Sequence, residues 1–315
     1  MSITDIIIDV IIRSAVPADL ASIQGICVEA LDLEPDASEL PVILQASQAR
    51  LAVVAEARGE IIGVCYGSRG NSAAGMPGES SDASRETGHV DLLAVAPAAS
   101  GQGAGRQLLA SMENRLQDHG AVSIVLGANP PVYLWPGVDL RYTAMTCLAQ
   151  RAGYEQYREG VDLAVDLRAA DLDCRQDEVR LAAEGVTVRR AAHAESALVV
   201  DWLRGGPWGY SAWPEETESA LSHEPVGCHV ACRQTDYIGF ACHGSVRRDL
   251  FGPMGTLPQE RQLGIGSVLL KRCLADIKAA GHRTARIGWA GPVRFYARNV
   301  GARVERVYWL YRKAL

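Results

Sequence analysis

The order of apolar and polar positions repeats once along the chain. Residues 6–12 form an apolar run that passes through Arg13 and Ser14 into a helical pattern over residues 17–31, and residues 188–191 lead in the same way into 194–203. The strand-like run 61–67, with its central Ile62-Gly63, is matched at the same spacing by 237–244 and its Ile238-Gly239. Farther on, Gly103-Ala104-Gly105 pairs with Gly264-Ile265-Gly266. Each glycine pair opens a stretch with leucines at helical spacing, residues 107–117 and 268–279. Short apolar runs at 122–126 and 284–289 then read as buried strands. Each copy therefore predicts a strand, helices, three strands, a glycine loop, a helix, a strand, a helix and a final strand.

The copies differ in one insertion. Residues 68–88 of the first are rich in Ser, Gly and Ala with little apolar content, which reads as a surface loop; residues 245–249 replace them in the second. The pattern divides the chain into an N-terminal domain over 1–168, a charged and partly helical linker over 169–185, and a C-terminal domain over 186–315.

Composition fits that division. A chain of 315 residues, 48% hydrophobic and 22% charged, can build two cores of roughly 150 residues each. The formal charge of −6 argues against a nucleic-acid binder, which would draw its affinity from a basic surface. The eight cysteines are scattered without a C-x-x-C pair, so they signal neither a zinc ribbon nor a disulfide framework, and reduced thiols in the cytoplasm are expected. No His, Cys and Asp spacing implies a metal. The apolar start lacks a basic flank and a small-residue cleavage site, and no run approaches the roughly 18 to 20 residues of a membrane span. The expectation is a soluble protein without nucleic-acid or membrane partners.

The strongest chemical signal is the loop Arg261-Gln262-Leu263-Gly264-Ile265-Gly266-Ser267, between a strand and a helix. Such a loop turns successive backbone N–H groups into one small volume at a helix N-terminus, where glycines let an anion approach and the helix dipole favours negative charge. It is neither a Walker A loop, which ends G-K-[ST], nor a dinucleotide fingerprint, because Leu269 stands where the last glycine is needed. The spacing Arg261-x-x-Gly264-x-Gly266 resembles the Q/R-x-x-G-x-G/A pyrophosphate loop of the GNAT acetyltransferase superfamily. Gly101-Gln102-Gly103-Ala104-Gly105 resembles the same loop, with Ser100 where Arg or Gln is usual.

The resemblance covers nearly the whole chain twice. It implies an α/β protein of two tandem GNAT domains, each a mixed, mostly antiparallel sheet flanked by helices, with acetyl-CoA as cofactor. In the C-terminal copy, Phe295 to Ala302 resembles the helix on which GNAT enzymes commonly carry a tyrosine beside the CoA sulfur. This implies Tyr296 as the general acid that protonates the departing thiolate. A phenol suits the task because its pKa near 10 keeps the proton available at neutral pH; the alternative is a tyrosine that packs helix on sheet. In the N-terminal copy, counting back from Gly153 reaches Leu148, and counting forward from Trp135 reaches Tyr142. This half is read as the degenerate one and the C-terminal half as catalytic.

Two residues are candidates for accepting the proton of the amine: Asp249, which opens the strand that leads to the glycine loop, and His243 on the preceding strand. For the acceptor, Trp208, Tyr210 and Trp213 beside Glu215 and Glu216 suit a sugar ring or a cation, through stacking and opposite charge. The same residues also suit a Gly/Pro-rich loop anchored to the core by its tryptophans. The paired turns at Trp135 and Trp289 are similar to those of tandem GNAT proteins that acetylate amino sugars. The implied activity is N-acetylation of a small-molecule primary amine, with an acetyl-CoA sensor or a protein N-acetyltransferase as alternatives.

Overall fold

The computed structural model describes residues 10–46, 50–70 and 86–315. Most of the expected strand over 6–12 and most of the expected loop over 68–88 lie outside them. Along the chain the elements are β1 (Ile11–Ser14), α1 (Leu20–Ala30), α2 (Leu40–Gln45), β2 (Arg50–Ala57), β3 (Glu60–Arg69), β4 (Thr87–Val95), α3 (Ala104–Asp118), β5 (Ser123–Leu126), β6 (Val138–Asp139), α4 (Thr143–Arg151) and β7 (Glu155–Asp166). There follow α5 (Arg175–Ala183), β8 (Val186–Arg190), α6 (Ser196–Gly205), α7 (Trp213–Leu221), β9 (Cys228–Arg233), β10 (Asp236–His243), β11 (Leu250–Thr256), α8 (Ile265–Ala279), β12 (Thr284–Ile287), α9 (Val293–Val300) and β13 (Arg303–Ala314).

These elements form two compact units. Of the described residues, 10–46, 50–70, 86–159 and 308–315 make the N-terminal unit, and 160–307 the C-terminal unit. In the N-terminal unit the strand order is β1-β2-β3-β4-β5-β13; in the C-terminal unit it is β7-β12-β11-β10-β9-β8. Each sheet is antiparallel except for one parallel pair, β4 with β5 and β11 with β12. The last place in each sheet is filled from elsewhere in the chain. Residues 163–166 of β7 pair with β12, while Arg312, Lys313 and Ala314 of β13 pair with β5.

Both units are layered alike. In the N-terminal unit, α1 and α2 cover one face of the sheet and α3 and α4 the other. In the C-terminal unit, α6 and α7 cover one face, and α8 and α9 the other, with Leu181 of α5. The leucine spacing read in the sequence explains α3 and α8. Leu108, Leu109, Met112 and Leu116 of α3 are fully buried, as are Val268, Leu269, Cys273 and Ile277 of α8. Each such side chain contributes roughly 1.5–3 kcal/mol. The repeated Ile-Gly of the third strand also has a packing reason. A Cβ on Gly63 would lie 2.9 Å from Leu108, and one on Gly239 3.4 Å from Ile265 and Leu269, so the glycine lets the helix approach the strand.

Candidate active site

The two parallel strand pairs are joined at one end only. β11 meets β12 at Leu250–Arg286 and Phe251–Ile287, and β4 meets β5 from Thr87–Ser123 to Val90–Leu126; beyond those residues β11 and β4 run on without that neighbour. Each long strand ends in a 3₁₀ turn, Pro258–Glu260 or Pro97–Ala99, and then in a glycine loop that caps a fifteen-residue helix. The backbone repeats. Gln262 and Gly264 have φ of 74° and 86°, and Gly101 and Gly103 have 76° and 92°. Left-handed residues at alternate positions turn the intervening N–H groups inward and form a concavity for an anion. Gln262 reaches that conformation without being glycine, at a cost of roughly 1–2 kcal/mol.

The surroundings of the loops differ. Arg180 of α5 donates from Nη1 to the Leu263 carbonyl (2.7 Å), and its Nη2 lies 2.8 Å from where a Cβ on Gly264 would be. Arg261 donates from Nε to the Thr256 carbonyl at 3.3 Å. The Phe295 ring is 3.5 Å from the Cβ position of Gly266, while Ile265 is buried and Leu263 packs partly against the core. In the N-terminal loop no atom lies within 4 Å of the Cβ positions of Gly101 or Gly103, Gln102 donates to the Ala98 carbonyl, and Ala104 is buried. Leu148 is 3.5 Å from the Cβ position of Gly105, so it occupies the place that Phe295 holds at Gly266.

Tyr296 lies where β11 and β12 part. Its ring packs edge-on against Phe251, the last paired residue of β11, and against Phe295. Burial pushes its phenol up to about 12, so the proton is held through the neutral range. Its hydroxyl makes no hydrogen bond among the described residues.

The two expected proton acceptors lie elsewhere. Asp249 precedes the joined end of the strand pair, where it accepts from Arg286 Nη2 at 3.3 Å. β10 runs antiparallel to β11, so its last residue, His243, pairs with Phe251 while the glycine loop leaves β11 at the opposite end, after Thr256. His243 turns to Asp276 of α8 (3.3 Å), which also receives a hydrogen bond from His229 (2.7 Å) and an ion pair from Arg190 (2.6 Å). Burial alone would raise the Asp276 carboxyl, but the two histidines and Arg190 hold it below the usual range. Strand direction, which a list of residues does not reveal, separates both candidates from the loop.

The tryptophans follow the anchoring alternative. Trp208 is 7% exposed and packs on Phe240, Trp202 and Trp213, and its ring fills the space that a Cβ on Gly255 of β11 would need. Tyr210 is exposed, and Glu215 lies 3.7 Å from Arg204. Glu216 is different. It is 8% exposed on the inner side of α7 and has no hydrogen bond or ion pair for its carboxyl among the described residues, and burial followed by the charge of Glu215 pushes it up to about 8.

A raised carboxyl stabilises the fold only while it is neutral. That contribution is complete below the ordinary value of 4.5 and is lost as pH rises through about 8. Glu216→Gln should therefore gain on the wild type by roughly 1.4 kcal/mol per pH unit between these limits, measured by denaturant unfolding at several pH values. A constant difference would mean that the carboxyl ionises normally.

The N-terminal unit holds a polar cluster that the sequence reading missed. Asp91 sits at an irregularity of the β3–β4 pairing, just beyond the last β4–β5 pair. It is buried against Arg50 (2.6 Å), and burial outweighs that pairing to push its carboxyl up to about 6. Nearby, Asn129 donates to Ser68 Oγ (2.6 Å), and Arg50 also reaches the Val132 carbonyl. Trp135 Nε1 donates to Glu34 (3.0 Å), and the Tyr142 hydroxyl accepts from the Leu33 N–H (3.3 Å). The available signal was a carboxylate inside an otherwise apolar strand, His89-Val90-Asp91-Leu92-Leu93. Among the described residues no cluster of His, Cys, Asp and Glu could hold a metal ion, and no helix is long and apolar enough to cross a membrane.

Residues 21–132 match the model of the Acetyltransferase (GNAT) family. No curated protein sequence matches the chain. Among solved structures, the chain is similar to a GCN5-related glucosamine N-acetyltransferase region of a fungal multi-domain GH3 β-N-acetylglucosaminidase, with a TM-score of 0.77 at 17% identity. That likeness covers 97% of this chain and 38% of the fungal protein, so the chain spans well under half of that protein's length. A GCN5-related N-acetyltransferase from Sphaerobacter thermophilus (20% identity, TM-score 0.67) is covered to 95% by 97% of this chain. A tandem GNAT protein from the clavulanic acid biosynthesis pathway (14% identity, TM-score 0.67) is covered to 98%, also by 97% of this chain. With a strand pair that parts ahead of a left-handed glycine loop in both units, the fold is that of these proteins, and residues 21–132 match the GNAT acetyltransferase family model.

Proposed function

We propose that the protein transfers the acetyl group of acetyl-CoA to a primary amine of a small molecule, with the cofactor held by the C-terminal unit. The observation that carries this reading is the loop from Arg261 to Ser267. Its left-handed Gln262 and Gly264 aim backbone N–H groups into one concavity at the start of α8, and the missing Cβ of Gly264 keeps open the space beneath Arg180. A pyrophosphate fits that cradle: its charge meets amides, a helix N-terminus and the Arg180 guanidinium together.

When bound, acetyl-CoA supplies an acyl group activated as a thioester. The chain's own residues would do the rest. The loop orients the cofactor along the free edge of β11. Tyr296, at the point where the strands part, holds a phenolic proton to give to the leaving sulfur. Glu216 of α7, neutral at pH 7 and without a partner among the described residues, and exposed Tyr210 just ahead of α7 are the groups proposed to meet an acceptor. Amino sugars are the first acceptor class to screen, the class that the fungal region's name carries.

Tyr296→Phe tests the reading. Loss of the proton donor is expected to lower kcat about 100-fold with acetyl-CoA affinity unchanged. In the wild type, a phenol held up to about 12 gives no loss of rate from this group between pH 6 and 10. An unchanged kcat would remove Tyr296 from the chemistry. A wild type that binds acetyl-CoA but acetylates no amine would instead support a non-catalytic sensor.

A further inference from the structure

An ammonium group must lose protons to become an amide, and the two expected acceptors, Asp249 and His243, lie at the joined end of the strand pair. A third carboxyl lies along the open end. Trp213, the first residue of α7, stacks on Trp208, whose ring fills the space beside Gly255 of β11. Ser219, near the end of α7, donates Oγ to the Ser245 carbonyl (2.7 Å), and Ser245 donates Oγ to the carbonyl of Gly252 (3.2 Å), which follows the last residue of β11 paired with β12. From Trp213 to Ser219 the helix rises roughly 9 Å, and from Gly255 to Gly252 the strand spans roughly 10 Å, so α7 lies along the free stretch of β11. Glu216 is midway between Trp213 and Ser219, on the buried side with Thr217, Ala220 and Leu221. We infer that Glu216 takes a proton from the ammonium group of the acceptor, an inference that rests on acetyl transfer along β11.

The surroundings of Glu216 suit that task. β11 has no titratable side chain. On β10, Cys242 donates to Thr217 Oγ1 at 3.6 Å and His243 turns to Asp276; on β9, Cys228 donates to the His229 carbonyl and His229 turns to Asp276 as well. Arg204 of α6 pairs with Glu215 and Glu218 instead. None of these pairs with Glu216, nor does His223 after α7, nor Arg247 or Arg248 in the turn before β11, and the charge that acts on it is that of Glu215. A carboxylate that anchors a cation is kept ionised by hydrogen-bond donors, whereas one left among apolar groups exchanges its proton near neutral pH. Glu216, 8% exposed and pushed up to about 8, is of the second kind.

The protons balance. The ammonium group gives one N–H proton to Glu216, and the electron pair left on nitrogen forms the N–C bond as the C–S bond breaks. Tyr296 protonates the departing sulfur. The surplus proton on nitrogen and the one held by Glu216 pass to solvent, from which Tyr296 is restored.

The test uses glucosamine, the amine in the fungal region's name, with wild type, Glu216→Gln and Glu216→Ala. At about pH 6.5 the amine and Glu216 both carry their protons, so glucosamine binding in the presence of coenzyme A should release about one proton, read by calorimetry in buffers of different ionisation heat. Glu216→Gln should release none and lower kcat about 100-fold, with acetyl-CoA affinity within about threefold of wild type. In Glu216→Ala, formate should restore part of kcat, because it brings a carboxylate to the vacated space. A side chain that only packs would give neither response. Gln matches the neutral carboxyl in shape, so thermal unfolding of that variant should stay within a few degrees of the wild type. No proton release in the wild type, release kept by Glu216→Gln, or a kcat of that variant within about threefold of wild type would overturn the inference and leave the acetyl-transfer reading standing. A wild type that acetylates no primary amine would overturn both.

Discussion

Removal of residues 308–315 is expected to unfold the N-terminal unit, although these residues are the farthest in sequence from most of it. The segment is the last strand of that unit's sheet. Tyr308 pairs with Asp139 and Trp309 with Val138, and Arg312, Lys313 and Ala314 pair with Val125, Ile124 and Ser123. Tyr308, Leu310 and Tyr311 are almost fully buried, and Lys313 reaches Glu113 of α3 at 2.9 Å. Truncating a buried aromatic or leucine costs about 2–5 kcal/mol, so losing three of them costs about 6–15 kcal/mol, as much as the roughly 5–15 kcal/mol by which a domain is folded. The strand's backbone partners in β5 would also be left without their bonds.

The measurement is hydrogen exchange on the shortened chain. Amides of β2, β3, β4 and α3 should lose protection, whereas those of β9, β10 and α8, whose core draws on no residue after 307, should keep it. Uniform protection of both units would mean that β13 is dispensable to the N-terminal sheet.

That exchange of strands was not legible in the sequence, and the reason is physical. A short apolar strand specifies that it must be buried between neighbours; it does not specify which sheet receives it. Tyr308 and Leu310 have the alternation of any final strand, and so have Leu163 and Val165, which pair with β12. The glycine loops were legible because their demand is local. Positive φ at Gly101, Gly103 and Gly264 is dictated within a few residues, and so is the leucine stripe of the helix that follows.

The side chains around the loops were read less well. Asp249 and His243 stand near the loop in sequence but at the joined end of the strand pair in space, because β11 needs its full length to reach from one to the other. Trp208 and Trp213 carried two equally valid patterns, and burial against Phe240 decides for packing. Asp91 had a signal, a carboxylate in an apolar strand, but only the pairing irregularity reveals that it lies where β4 and β5 part. Arg180 lay in a segment read as linker, and its contact with the Leu263 carbonyl depends on how α5 packs on the C-terminal core.

The two units now offer contrasting chemistry at equivalent points. Where β4 leaves β5 there is a buried carboxylate, Asp91; where β11 leaves β12 there is Gly252-Pro253 with Tyr296 beside it. At the loops, Ser100 and Gly101 of one unit stand at the sequence positions of Arg261 and Gln262 in the other. Acetyl-CoA, the proposed cofactor, is strongly anionic, so the unit with Arg180 and Arg261 at its loop is the better match.

The central claim is tested most directly by acetyl-CoA calorimetry on the wild type and on separate Gly103→Glu and Gly264→Glu variants. Each substitution fills one cradle with bulk and a like charge. At Gly264, φ of 86° adds strain, and the new side chain would meet Arg180, so Gly264→Asn, which tolerates that conformation, serves as the folding control. The account predicts that Gly264→Glu weakens binding by about 1,000-fold or more, roughly 4 kcal/mol, while Gly103→Glu changes it less than about threefold. Binding lost only in Gly103→Glu would contradict the assignment and move the cofactor to the N-terminal loop.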